Sequence, residues 1–332
     1  MERIITMKVM LYHGIMEKIW TEKYRPVTLD DVYGQDSTIE RLKAYVEKGN
    51  LPHLLFAGPA GTGKTTSAIA LSKDLYGDNW SANFFELNAS DERGIGVIRN
   101  KIKEYARTSS MSNIGFKIIF MDEADSLTPE AQAALRRTME KYSNNCRFVL
   151  SCNYSSKIID PIQSRCAVFR FRYLNDKDVR NCLEMIAEKE GLNIDQDAKE
   201  LLVEVADGDL RRVINLLQIS GSTTDEITEE VVRQSANVAK PGDIEELLRT
   251  ALKGDFMGAR RLLDDLLLEY GLSGEDIVKE IHKNIYNIPI DNRKKMEIVD
   301  RIGETEFRMV EGGNERLQLE SLLAHLSLKG RD

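Results

Sequence analysis

A chain of 332 residues is too long for one compact core and implies two or three domains. Its 42% hydrophobic and 30% charged residues fit a globular protein rather than a disordered one, and its longest apolar runs, such as 118–121, are far too short to span a bilayer, so no membrane partner is expected. The net charge of -8 is uneven: residues 1–175 carry 24 basic and 20 acidic side chains, residues 176–332 carry 22 and 34, so any nucleic-acid contact is expected in the first half.

In chain order, residues 1–17 hold Met1, Met7, Met10 and Met16 in a mildly apolar stretch. They lack the long apolar segment and small-residue cleavage site of a secretory signal, and read as an extension with Met16 as an alternative start. The four cysteines, Cys146, Cys152, Cys166 and Cys182, show no C-x-x-C spacing and read as cytosolic thiols, which makes a cytoplasmic location the expectation.

Apolar runs at 54–57, 84–87, 118–121 and 147–151 predict buried strands, separated by helical patterns at 65–75, 95–107 and 129–141. This alternation predicts an α/β domain with a parallel sheet over 18–174. The alternating Arg170-Phe171-Arg172-Tyr173 predicts a last edge strand. After Leu174 the strand signals stop. Helices are expected at 176–189, ended by Gly191, and at 197–206, 210–219 and 228–236, a small all-helical domain over 175–238. Lys240-Pro241-Gly242 marks a break, and leucines at 262, 263, 266 and 267 begin a helical bundle over 239–332.

Gly58-Pro59-Ala60-Gly61-Thr62-Gly63-Lys64-Thr65 fits G-x-x-x-x-G-K-[ST], after an expected strand and before an expected helix. Such glycines let backbone N–H groups turn inward around phosphate oxygens, and the helix N-terminus adds positive potential. Lys64 is expected on the β- and γ-phosphates of ATP, Thr65 on Mg²⁺, and Thr66 in the same cradle. The run 118–121 delivers Asp122 and Glu123 to a strand's carboxyl end, where Asp122 would hold Mg²⁺ through water and Glu123 would polarise the attacking water. Asp-Glu-Ala-Asp also occurs in RNA helicases, so the tetrapeptide alone is weak. Asn153, just past the next strand, can orient the lytic water or sense the γ-phosphate, or be a turn residue. Arg165, after Pro161, is either an arginine finger for a neighbouring subunit or a surface ion pair. Arg211 opens a helix whose dipole disfavours it, which hints at a functional role.

A stripe of Arg99, Lys103 and Arg107, spaced by four, can track phosphates without reading bases, or be an ordinary solvated face. Lys157, on the loop after Asn153, joins the same surface.

Together these residues resemble the AAA+ clamp loaders. The segments 20–26 (Trp-Thr-Glu-Lys-Tyr-Arg-Pro), 32–35 (Val-Tyr-Gly-Gln), 88–94, 135–140, Ser164-Arg165-Cys166 and 208–215 are similar to boxes of replication factor C subunits, over about residues 18–240. The lack of a long N-terminal domain or basic tail points to the small-subunit type, archaeal more than eukaryotic. The resemblance implies an AAA+ P-loop ATPase domain, a helical lid and a C-terminal collar that joins five subunits in a spiral. It implies that Arg165 acts on a neighbour's ATP, that Asn153 and Arg211 are sensors, and that Tyr24, Arg25 and Val32 border the adenine. Arg93, Arg99, Lys103 and Lys157 would track the template, and the helix end at Tyr105 would touch the clamp. The implied partners are the large subunit, further small subunits, the sliding clamp (proliferating cell nuclear antigen) and primer–template DNA. The implied function is clamp loading driven by ATP hydrolysis. The alternatives are another AAA+ DNA motor, such as a branch-migration helicase, and a non-hydrolysing scaffold, against which Glu123 argues.

Overall fold

Each of the four apolar runs forms a strand. In the computed structural model, which describes residues 19–90, 95–108, 114–268 and 270–329, the chain opens with α1 (Trp20–Lys23) and α2 (Asp36–Glu47). It continues β1 (His53–Ala57), α3 (Lys64–Tyr76), α4 (Trp80–Asn83), β2 (Phe84–Asn88), α5 (Ile95–Arg107), β3 (Lys117–Asp122), α6 (Pro129–Lys141), β4 (Cys146–Cys152), α7 (Asp160–Gln163) and β5 (Cys166–Arg170). The five strands form one all-parallel sheet in the order β2-β3-β4-β1-β5. Successive residues serve opposite faces. Leu54, Phe56, Ile118, Phe120 and Val149 pack against Ile39 and Leu42 of α2 and Leu71 of α3. Leu55, Ile119, Met121, Phe148 and Leu150 pack against Ile102 of α5 and Leu135 and Met139 of α6. A sheet covered on both faces needs apolar residues at every position, which is why these strands read as continuous runs.

The registers Ala57 with Cys152 and Met121 with Leu150 bring the ends of β1, β3 and β4 to one edge. Two expectations are corrected. The last strand is β5 at 166–170, not 170–173. The alternation at 169–171 is genuine, since Phe169 and Phe171 are buried. Beyond it, however, the backbone N–H and C=O of Arg172 bond to the Gln35 side-chain amide, at 3.2 and 2.6 Å, instead of a strand. α2 goes beyond the expected elements, because its buried face is only Thr38, Ile39 and Leu42.

The next segment comprises α8 (Asp176–Glu190), β6 (Asn193–Ile194), α9 (Gln196–Ala206), α10 (Leu210–Gly221) and β7 (Glu226–Ile227). It is not all-helical, because β6 and β7 pair in parallel over two residues each, too few to leave a periodic signal. Its three helices start at Asn175, Asp195 and Asp209, whose side chains accept backbone N–H bonds from Asp178, Ala198 and Arg212. All of this belongs to one compact unit that ends at Ile227, and a second begins at Thr228.

The second unit contains α11 (Glu229–Ala236), α12 (Pro241–Leu252), α13 (Phe256–Leu268), α14 (Gly274–Ile285), α15 (Asn292–Val310) and α16 (Glu315–Lys329). Its core is aliphatic, with Leu247, Leu263, Ile281, Ile302 and Leu322 at its centre. Among the described residues no helix is long and apolar enough to cross a membrane.

Candidate nucleotide site

The loop between β1 and α3 turns tightly because its glycines sit where side chains cannot. A Cβ on Gly58 would lie 2.3 Å from the Phe171 carbonyl oxygen. One on Gly61, at φ +69°, would lie 1.7 Å from the Asp209 carboxylate. The Leu210 N–H donates to the Gly61 carbonyl at 3.3 Å, so the start of α10 is hydrogen-bonded to the loop.

Lys64, the first residue of α3, is buried. Its ammonium donates to the Gly58 and Pro59 carbonyls at 2.7 Å each and to Asn153 Oδ1 at 3.2 Å. Burial holds it below the ordinary lysine value, with the Asp122 charge opposing. The Thr65 hydroxyl donates to Asp122 Oδ2 at 2.9 Å. A hydroxyl and a carboxylate converging in this way suit Mg²⁺, which takes hard oxygen donors and keeps several of its waters. Among the described residues no cluster of three or more His, Cys, Asp or Glu could hold a metal, so a site here would rely on this pair, water and phosphate.

Asp122 Oδ1 accepts the N–H of Glu123 at 3.0 Å. Glu123 has φ +52°, a left-handed conformation that costs a non-glycine residue about 1–3 kcal/mol and is found at functional sites. It turns the chain sharply, which lets both carboxylates reach the same cleft. That cleft, of about 270 Å³, is lined by Tyr24, Arg25, Val32, residues 60–66, Asp122, Glu123, Asn153 and Arg211. Gly58 and Pro59 lie just behind it, as acceptors for Lys64. Of the further lining residues, Tyr33, Leu210 and Ile214 lie in the segments 32–35 and 208–215 but were not singled out, and Cys182 had no local signal in the sequence. The α1 turn is held in place by the Tyr24 hydroxyl, which donates to Glu190 at 2.6 Å, and by Lys23, 2.7 Å from the same carboxylate.

Two polar residues outside the expected set organise the site. Asp125 Oδ2 accepts the backbone N–H groups of Asn153 and Tyr154, both at 3.1 Å. Gln132, only 2% exposed, donates to the carbonyls of Leu127 and Lys157 at 3.1 and 2.9 Å. It also accepts the Ile159 N–H at 2.9 Å. The signal for Asp125 was its place in Asp-Glu-Ala-Asp; Gln132 had none.

Arg165 is not among the lining residues. Its guanidinium lies 2.7 Å from Glu140 and donates to the Pro161 carbonyl at 2.7 Å, on an exposed face. Of the basic stripe, Lys103 is half-buried and Lys157 is exposed, its ammonium 5.0 Å from the centre of the Tyr154 ring. Arg93 and the Arg99 side chain lie outside the described residues. Tyr105 stacks on Phe85 at 4.8 Å, so much of its ring serves its own core.

Residues 54–173 match the model of the ATPase family associated with various cellular activities (AAA), and 239–325 match the replication factor C C-terminal domain. The chain is 56% identical over 310 residues to a replication factor C small subunit of Archaeoglobus fulgidus, covering 93% of this chain and 97% of that one. It is 54% identical to those of Methanocella arvoryzae and Halobacterium salinarum, each covering 95% of this chain and 98% of the relative. Among solved structures, the Holliday junction branch migration motor RuvB of Thermotoga maritima superimposes with a TM-score of 0.53 at 19% identity, over 75% of this chain and 92% of that one, a likeness of fold.

Proposed function

The chain belongs to the replication factor C small-subunit family and is a clamp-loader ATPase, and we propose that it cleaves ATP at a site completed by a neighbouring subunit. Tyr24, Arg25 and Val32 border the adenine. The backbone N–H groups of residues 60–63 and the Lys64 ammonium hold the phosphates, with Gly58 and Pro59 forming the entry to that loop. Glu123 accepts the proton of the attacking water, Asn153 orients that water, and Arg211 reports the γ-phosphate to the lid at 175–238. Thr65 and, through water, Asp122 would hold Mg²⁺, which when bound neutralises charge on the β- and γ-phosphates.

The observation that carries the shared-site reading is the position of Arg165. One chain gathers Lys64, Thr65, Asp122, Glu123, Asn153 and Arg211 around a cleft whose lining does not include Arg165, and the finger stands exposed beside Glu140. The collar at 239–332 joins the subunits. In support, the second unit exposes Leu268, Met296, Phe307, Val310, Leu317 and Leu328. Several copies of Arg93, Arg99, Lys103 and Lys157 then line a channel for primer–template DNA, which reconciles DNA binding with an acidic chain. The large subunit and the sliding clamp complete the assembly, in the cytoplasm. The branch-migration alternative has only a likeness of fold behind it.

Mixing subunits tests the shared site. Arg165→Ala subunits should bind ATP yet fail to hydrolyse it when assembled, with a loss on the order of 10³-fold, and Lys64→Ala subunits should fail as well. Assemblies containing both should regain hydrolysis wherever an intact pocket meets an intact finger. No regain at any mixed interface would refute the reading.

A further inference from the structure

We propose that Glu140 is the positioning residue for the Arg165 guanidinium, an inference that rests on the shared-site reading of Arg165. Glu140 lies in the last turn of α6, a 13-residue helix about 20 Å long. Buried Thr138 and Met139 in that turn, and Leu135 one turn earlier, pack it onto the core and so anchor the backbone that carries Glu140. Arg165 follows α7, and its own N–H donates to the Ile162 carbonyl at 3.0 Å, with the Ile162 side chain buried. From this base the guanidinium has two close anchors, with the Ser164 hydroxyl a third, weaker acceptor 3.5 Å from Nη1. Nη1 donates to the Pro161 carbonyl, and Nη2 meets Glu140 Oε1, both at 2.7 Å.

Two anchors on a planar group fix its plane, not only its position. A guanidinium carries five N–H donors in that plane, so donors are left for a phosphate oxygen. An arginine on an exposed face without such anchors would sample many rotamers, few of which would meet a neighbour's phosphate. Arg136, one turn earlier on α6, places its Nη1 3.7 Å from the same carboxylate oxygen, so Glu140 gathers two cations on one face. The Arg165 and Glu140 side chains are 37% and 42% exposed, so the pair contributes little to folding stability. Its use is therefore orientation, and the helix that carries it begins at Thr128 and Pro129, a few residues after Glu123. One rigid helix thus connects the subunit's own hydrolytic carboxylates with the finger it offers its neighbour.

The experiment compares Glu140→Gln, Glu140→Asp, Arg165→Ala and the double variant Glu140→Gln/Arg165→Ala in the assembled complex, measuring kcat and KM for ATP and the melting temperature. Glu140→Gln should lower kcat on the order of 10-fold, the scale expected when a catalytic group is misplaced by less than 1 Å. KM and melting temperature should stay unchanged, and Glu140→Asp should recover part of the rate. In the Arg165→Ala background Glu140→Gln should do nothing further. If Arg165→Ala itself is fully active, the shared-site reading falls and this inference with it. If Arg165→Ala is inactive while Glu140→Gln is normal or faster than normal, or if Glu140→Gln deepens the loss in the Arg165→Ala background, the assignment of Glu140 alone is overturned.

Discussion

Gln132 offers the sharpest test of how the site is held. Its buried amide makes three hydrogen bonds, two given and one taken, joining the start of α6 to the loop that carries Asn153 and Lys157. Replacing it by Met keeps the volume and removes all three. A neutral hydrogen bond contributes about 1 kcal/mol, and a buried N–H left without an acceptor, here that of Ile159, costs about 1–3 kcal/mol. Counting the two lost donations and the orphaned N–H, Gln132→Met should therefore destabilise the first unit by about 3–5 kcal/mol. In a body of this size that lowers the melting temperature by about 6–20 °C. Urea titration of the wild type and the variant gives the free-energy difference directly, provided the denaturant slope is unchanged. Because the same bonds set the loop after β4, ATP hydrolysis in the assembled complex should fall on the order of 10-fold at saturating ATP. If Gln132→Met matched the wild type within about 0.5 kcal/mol and in rate, the junction would hold nothing, and the reasoning from buried amide to loop position would be wrong.

Two other outcomes are expected. His53 is pushed down to about 4 by burial and by the Arg147 charge, and its Nδ1 accepts the Phe148 N–H at 3.1 Å, a bond that protonation destroys. Its folded value lies below its unfolded one, so the unfolded chain binds more protons between pH 6.5 and about 4, and stability falls as pH falls through that window. From pH 7 to pH 5 the loss is about 2 kcal/mol. His53→Asn, which keeps an acceptor in place of Nδ1, should lose about that much less in urea titrations at the two pH values, and equal losses would reject the assignment. Lys157→Ala should weaken binding to primed DNA equally for unrelated sequences and reduce the salt slope by about 1. A loss confined to particular sequences would contradict backbone tracking.

Much of this was legible without coordinates because the signals are local. Unbroken apolar runs at 54–57 and 118–121 are what a sheet covered on both faces requires. The loop at 58–65 declares itself through glycines that only a tight turn needs, and Gly191 declares a helix end. These rest on contacts within a few residues, so the sequence carries them in the clear. The departures were equally physical: β5 ended early because a side-chain amide, that of Gln35, took the place of a strand beside Arg172, and β6 and β7 were too short to show a period.

What the sequence by itself determined, then, is the parallel sheet, the phosphate loop and the carboxylates delivered to its edge. Only the tertiary structure decided which polar side chains hold that edge together: Asp125 on the Asn153 loop 28 residues away, Gln132 on the segment around Lys157 and Ile159, Glu140 on Arg165, and Asp209 against Gly61. Each is a meeting of segments far apart along the chain. A polar residue looks the same in sequence whether it faces water or a distant backbone, because its partner is chosen by how strands and helices stack and not by its neighbours.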